Sequence, residues 1–126
     1  MSGMRLLIVD DEAPLLSLLQ RYLARLGYEV DAASSAEEAL DRFAPAPEKY
    51  ACVLTDLKLP GMGGEELVER MRELRPGLPA LISSGLPYQP RSAATGFVQK
   101  PYLPAMLAEE LERLLRKTSR RAAKDA

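Results

Sequence analysis

Leu6-Leu7-Ile8-Val9-Asp10-Asp11 is a run of four apolar residues, two of them β-branched, closed by two carboxylates. A run this short, flanked by polar residues, reads as a strand buried on both faces, Arg5 to Val9, and not as one stripe of a helix. The same pattern recurs three times. Ala51-Cys52-Val53-Leu54-Thr55 closes on Asp56, Ala80-Leu81-Ile82 on Ser83 and Ser84, and Gly96-Phe97-Val98 leads through Gln99 to Lys100. Parallel strands deliver their C-terminal ends to one sheet edge, where open α/β sheets hold their ligands. Three carboxylates, a hydroxyl and a lysine meeting there suit a divalent metal and a phosphoryl group.

Helical patterns fill the intervals. Leu15, Leu16, Leu18, Leu19, Tyr22, Leu23 and Leu26 form a broad apolar stripe behind Pro14, which a first helical turn tolerates. Gly27 stops this helix, and Tyr28 to Ala33 reads as a second strand. Ser35 and Glu38 stand at capping-box spacing for a short helix that ends before Pro45 and Pro47. The third strand is expected from Tyr50 to Thr55. The loop Leu59-Pro60-Gly61-Met62-Gly63-Gly64 then leads to a helix from about Glu65, which turns Leu67, Val68, Met71 and Leu74 inward and stops at Pro76-Gly77. Pro79 to Ser83 and Gly96 to Gln99 are the last strands. A final helix after Pro101 carries Leu103, Met106, Leu107, Leu111, Leu114 and Leu115.

Strand–helix alternation of this kind predicts an α/β fold: a doubly wound, flavodoxin-like sheet of five parallel strands with helices on both faces. One connection breaks the rule. Pro87 and Pro90 interrupt the stretch from Leu86 to Thr95, which has no helical periodicity, so the fourth helix is expected to be shortened, displaced or absent. The domain is expected to cover residues 5–117, with 1–4 as an N-terminal extension and 118–126 as a flexible tail without a packing face.

At 126 residues the chain is long enough for one core and too short for two domains of usual size. A net charge of −1 gives no general attraction to nucleic acid. The basic residues Arg113, Arg116, Lys117, Arg120, Arg121 and Lys124 follow Glu109, Glu110 and Glu112 with no aromatic residues between them, so they read as helix C-terminal charge and not as a direct nucleic-acid surface. Cys52, within an apolar run, reads as a buried structural thiol. With no histidine in the chain, histidine catalysis and histidine metal ligation are excluded. No apolar run reaches the roughly 18 residues of a membrane segment, and the start lacks an export-signal pattern, so a cytoplasmic location is expected.

Alone, an acidic pair at a strand end is a solvated turn as often as a site. Three carboxylates on one edge are harder to dismiss, because they repel one another and raise each other's pKa unless a cation intervenes. Magnesium, a hard cation that takes oxygen ligands and keeps waters, is the natural choice. Lys100 would emerge beside them, positioned to pair with Asp56 or with a phosphate.

In these elements the chain resembles the receiver domains of two-component response regulators. LLIVDD (6–11), DLKLPG (56–61), ALISSG (80–85) and FVQKPY (97–102) stand in that family's order, and the likeness runs from about Arg5 to Arg116. The resemblance implies that Asp56 is the phosphoacceptor. It also implies that Asp10, Asp11, Asp56 and the backbone carbonyl of Lys58 hold Mg2+, that Ser84 and Lys100 bind the phosphoryl group, and that Phe97 is the switch aromatic. The implied partner is a histidine kinase or a histidine phosphotransfer domain, and the resemblance also admits a homodimer.

Two departures stand out. Gly63-Gly64 replaces a position that is often acidic in the family, which predicts a looser loop, and the weak fourth-helix region suggests the receiver of a hybrid sensor kinase. Three rival readings fit less well. An aspartate-based phosphohydrolase needs a second acid two residues beyond its nucleophile, where this chain has Lys58. A flavodoxin-like cofactor binder needs a Gly/Ser/Thr-rich phosphate loop where this chain has Asp10-Asp11-Glu12. A receiver-like interaction domain not regulated by phosphorylation would have no need of all five site residues.

Overall fold

The computed structural model describes residues 3–125. Its elements are β1 (Arg5–Val9), α1 (Ala13–Arg25), β2 (Glu29–Ala33), α2 (Ala36–Phe43), a 3-10 turn (Pro47–Lys49), β3 (Cys52–Asp56), α3 (Gly64–Leu74), β4 (Ala80–Ser84), β5 (Thr95–Gln99) and α4 (Pro104–Asp125). All strand pairs are parallel, in the order β2-β1-β3-β4-β5. The chain therefore winds one way from β1 to β2 and the other way from β3 onward. Such a reversal opens a crevice at the strand C-termini, here between Asp10 and Asp56.

Alternation along the strands divides the core into two layers. Leu7, Val9, Val53 and Ala80 face α2 and α3, meeting Ala36, Ala39, Phe43, Leu67, Val68 and Met71. Leu6, Ile8, Cys52, Leu54, Leu81 and Val98 face α1 and α4, meeting Leu19, Leu23, Leu107, Leu111 and Leu114. Cys52 is fully buried as expected, and burial pushes its thiol up to about 12. A leucine-to-alanine change in either layer should cost about 2–5 kcal/mol.

Several local expectations need correction. The strands β3 and β4 extend one residue further than the apolar runs, so Asp56 and Ser84 are the last strand residues and not the first loop residues. Ser35 does cap α2, accepting the Glu38 N–H at 3.1 Å. The reciprocal half of the box is displaced: Glu38 accepts the Ser34 N–H at 2.9 Å, not that of Ser35. α4 continues unbroken through 118–125, where a flexible tail is expected. The segment holds no glycine or proline, and its Arg, Ala and Lys residues are strong helix formers. Of the expected N-terminal extension, Met1 and Ser2 lie outside the described residues, as does Ala126 at the other end.

No helix joins β4 to β5. Residues 85–94 instead form an irregular strap lying beside α3. Arg72 of α3 anchors its far end, donating to the carbonyls of Leu78 (2.9 Å) and Ala94 (3.2 Å) and to the Thr95 hydroxyl (3.0 Å). Nearer its start, Tyr88 donates to Glu65 at 3.0 Å and packs its ring 5.8 Å from that of Phe97.

Candidate functional site

The register of β1 on β3 pairs Val9 with Thr55, which brings the next residues, Asp10 and Asp56, side by side at the strand exits. β5 on the opposite side of β4 delivers Lys100 to the same edge, and the Lys100–Pro101 peptide there is cis. Lys100 Nζ lies 3.1 Å from Asp56 Oδ2, 3.2 Å from Asp10 Oδ2 and 3.3 Å from Glu12 Oε1. Asp10, Asp11 and Asp56 each present a carboxylate oxygen, all within 4.8 Å of one another. Three carboxylates thus meet one ammonium, and Asp11 adds a fourth acid beside Asp10 and Asp56.

Burial grades these acids. Asp10 is 2% exposed, Asp56 is half-buried and Asp11 faces solvent. Burial raises the Asp10 pKa, and this outweighs the opposing pull of the Glu12 N–H, which Oδ1 accepts at 2.8 Å, and of Lys100. For Lys100 the balance runs the other way. Burial alone would lower its pKa, but the hydrogen bond it donates to Asp56 and the charges of Asp10 and Asp56 raise it. It stays an ammonium at any ordinary pH. The site is a hard, oxygen-rich, negatively charged cluster that could hold a metal ion, and its donor set is of the kind magnesium takes.

Ser84, at the end of β4, is buried, and its hydroxyl accepts the Leu86 N–H at 3.0 Å. Its neighbour Ser83 is the residue in register with Asp56, and it lines a narrow crevice with Asp10, Thr55, Asp56 and Tyr102. Phe97 is half-buried under Tyr88, three residues before Lys100. Lys58 lies two residues beyond Asp56 in the β3–α3 loop with its side chain exposed.

The Gly63-Gly64 pair does not loosen this loop. A Cβ on Gly64 would stand 2.3 Å from the Asp56 carbonyl oxygen, and the Gly64 N–H donates to the Leu57 carbonyl at 2.9 Å. Glycine is what lets α3 begin directly against the backbone of Asp56. Three further neighbours join the site or its surroundings. Glu12, which in the sequence only adds a negative charge after the acidic pair, pairs with Lys100. Tyr102 lies beside the site, where burial pushes its phenol up to about 12. Tyr88 gives no signal in the sequence, because its partners Glu65 and Phe97 are 23 and nine positions away.

Residues 6–112 match the family model of the response regulator receiver domain. The transcriptional regulatory protein SrrA of Staphylococcus aureus is 32% identical over 118 residues, covering 90% of this chain and 48% of SrrA. The receiver domain of the hybrid histidine kinase CckA superimposes with a TM-score of 0.79 at 30% identity, covering 88% of this chain and 98% of that one. The response regulator TrrA from Thermotoga maritima, in complex with Mg(2+)-BeF, gives a TM-score of 0.77 at 30% identity with the same coverage. The chain spans less than half the length of the curated relatives it matches first. No helix among the described residues is long and apolar enough to cross a membrane.

Proposed function

This chain belongs to the response regulator receiver domain family of two-component systems, and from that premise we propose that Asp56 accepts a phosphoryl group from a phosphohistidine. An Asp56 carboxylate oxygen attacks phosphorus in line with the P–N bond. That bond breaks, its electron pair leaves with the imidazole of the partner, and an aspartyl phosphate forms. A small acyl phosphate would react in the same way, with loss of a carboxylate. The observation that carries the reading is the meeting of Asp10, Asp11 and Asp56 oxygens within 4.8 Å, with Lys100 Nζ bridging Asp10 and Asp56.

A carboxylate is a modest nucleophile, so the rate depends on alignment and on neutralising charge as two anionic groups approach. Magnesium, held by Asp10, Asp11, Asp56 and the Lys58 carbonyl, would neutralise phosphoryl and carboxylate oxygens together. Lys100 contributes a second positive charge, exchanging part of its hold on Asp56 for a phosphoryl oxygen. Ser84 donates its hydroxyl to another oxygen, and Phe97 fills the space this vacates. A local charge change thereby becomes a shift in packing on the β4–β5 side.

The unit we assign this role covers residues 5–117. Its partners in this reading are a histidine kinase or histidine phosphotransfer domain, and it acts in the cytoplasm as a switch and not as a turnover enzyme. The similarity to a receiver from a hybrid kinase supports that kind of setting without choosing it over a response regulator. The test is intact-mass analysis after incubation with acetyl phosphate and magnesium. One labile phosphate adduct is expected on the native chain and none on Asp56→Asn. Equal labelling of the two would remove Asp56 from the role.

A further inference from the structure

The strap of residues 85–94 occupies the position between β4 and β5 where an alternating fold would insert a helix. Its two ends are held very differently. At the far end Arg72 makes several donations to the backbone and to Thr95, and burial of that guanidinium lowers its pKa. Near the start, Gly85, Leu86 and Pro87 are all exposed. Two contacts hold this stretch among the described hydrogen bonds: Leu86 N–H to the Ser84 hydroxyl, and the Tyr88 phenol to Glu65. The first is lost when the Ser84 side chain rotates away from Leu86 to reach a phosphoryl oxygen. The second touches Phe97 directly, through the 5.8 Å ring contact. Beneath the strap is a cavity lined by charged residues, among them Glu65, Glu69, Arg72 and Arg91.

We infer that Tyr88 is a clasp that closes the strap onto α3 in the resting chain and is released when the site is phosphorylated, with the Arg72 end as its fixed hinge. This rests on the reading of Asp56 and Ser84 above. Loss of the Leu86 contact frees the strap's start, and inward movement of Phe97 takes away the surface on which the Tyr88 ring lies. The phenol–carboxylate bond is then the last restraint. Release uncovers Glu65 and opens the cavity edge, so the exposed charge pattern beside α3 differs between the two states.

Whatever holds the resting state must oppose the phosphorylated one by the same factor. Removing the clasp should therefore tighten binding of a phosphoryl mimic. Beryllofluoride with magnesium would be titrated into the native chain, Tyr88→Phe, Glu65→Ala and the double variant, with Asp56→Asn as the site control. Tyr88→Phe keeps the ring against Phe97 and so preserves the packing. Each single variant should bind the mimic about threefold to tenfold more tightly, the scale of one hydrogen bond to a charged group at a half-exposed position. The double variant should gain nothing further. Hydrogen exchange at the amides of Tyr88 and Gln89 should quicken both in free Tyr88→Phe and in the native chain with mimic bound, the Leu86 amide, which Ser84 still holds in the free variant, should quicken only with mimic bound, and residues 93–95 should stay as they were. Native-like affinity in both single variants, or additive effects in the double, would overturn the clasp while Asp56→Asn still abolished binding. Binding that survives Asp56→Asn would instead count against the site.

Discussion

Replacing Lys100 with methionine removes the one ammonium that, among the described residues, pairs with the acidic cluster, while keeping an apolar stem of similar length. At 3.2 Å and an effective dielectric of about 20, a single unit-charge contact amounts to about 5 kcal/mol before any solvation is counted. Desolvation offsets much of this, and removing one partner of a buried pair typically costs about 3–5 kcal/mol. Lys100 retains some solvent contact and Glu12 is exposed, so about 2–4 kcal/mol is expected. The dominant loss is at Asp10, left buried without its cation. Urea unfolding at pH 7 in a chelator measures it. In an Asp10→Asn background the same change should cost about 1–2 kcal/mol less, because the stranded charge is gone.

The pH dependence fixes the sign independently. Asp10 has a folded pKa raised above its unfolded value, so the folded chain binds the proton more readily. Its ionisation costs stability above the folded pKa, and that cost is relieved as pH falls through it. Without Lys100 two influences that lower this pKa are lost, and the relief should begin nearer neutrality. Lys100→Met should thus recover part of its deficit relative to the native chain as pH is lowered from 7. A cost below about 0.5 kcal/mol at this bridged site, far under the buried-pair range, or one equal in both backgrounds, would refute the account of Asp10 as the group Lys100 protects.

Magnesium should stabilise the native chain by about 1.4 kcal/mol at tenfold excess over its Kd, and Asp11→Ala should weaken the effect while raising metal-free stability. Thermal melts with and without millimolar magnesium would read both, and indifference to the ion would count against a metal role. Gly64→Ala should destabilise by at least the roughly 1–3 kcal/mol of an overpacked position, given the 2.3 Å approach to the Asp56 carbonyl oxygen. Because the clash is at the backbone of the nucleophile, acetyl phosphate labelling should slow as well. Native stability in urea unfolding of that variant would show that the loop can move aside.

Much of this arrangement is legible in the sequence because buried parallel strands announce themselves. Their apolar runs are short, and each ends in a polar group whose destination is set by the sheet edge. Asp10, Asp56 and Lys100 are found this way. The missing helix is legible too, since Pro87 and Pro90 remove backbone donors and periodicity together. What replaces it is not. Tyr88 holds the strap through one hydrogen bond and Arg72 through several, and the strap contacts join residues 22 or 23 positions apart, which leave no period or motif behind. Gly64 departs from expectation for a related reason: composition suggests freedom, whereas the three-dimensional neighbour is a carbonyl that leaves no space for a side chain. α4 runs beyond its apolar stripe because a run of strong helix formers continues a helix already begun.

α4 starts four residues after Lys100 and runs for 22 residues, a length of about 33 Å at 1.5 Å per residue. Its described core contacts run from Leu107 to Leu115. The helix can therefore act as a lever fixed at the end nearer the charged cluster. A tilt of about 5° at the sheet, too small to break the packing of Leu107, Leu111 and Leu114, would carry the far end through about 3 Å over that length. An ångström-scale event at Lys100 can thus be read at a distance by geometry alone, with no rearrangement of the core between.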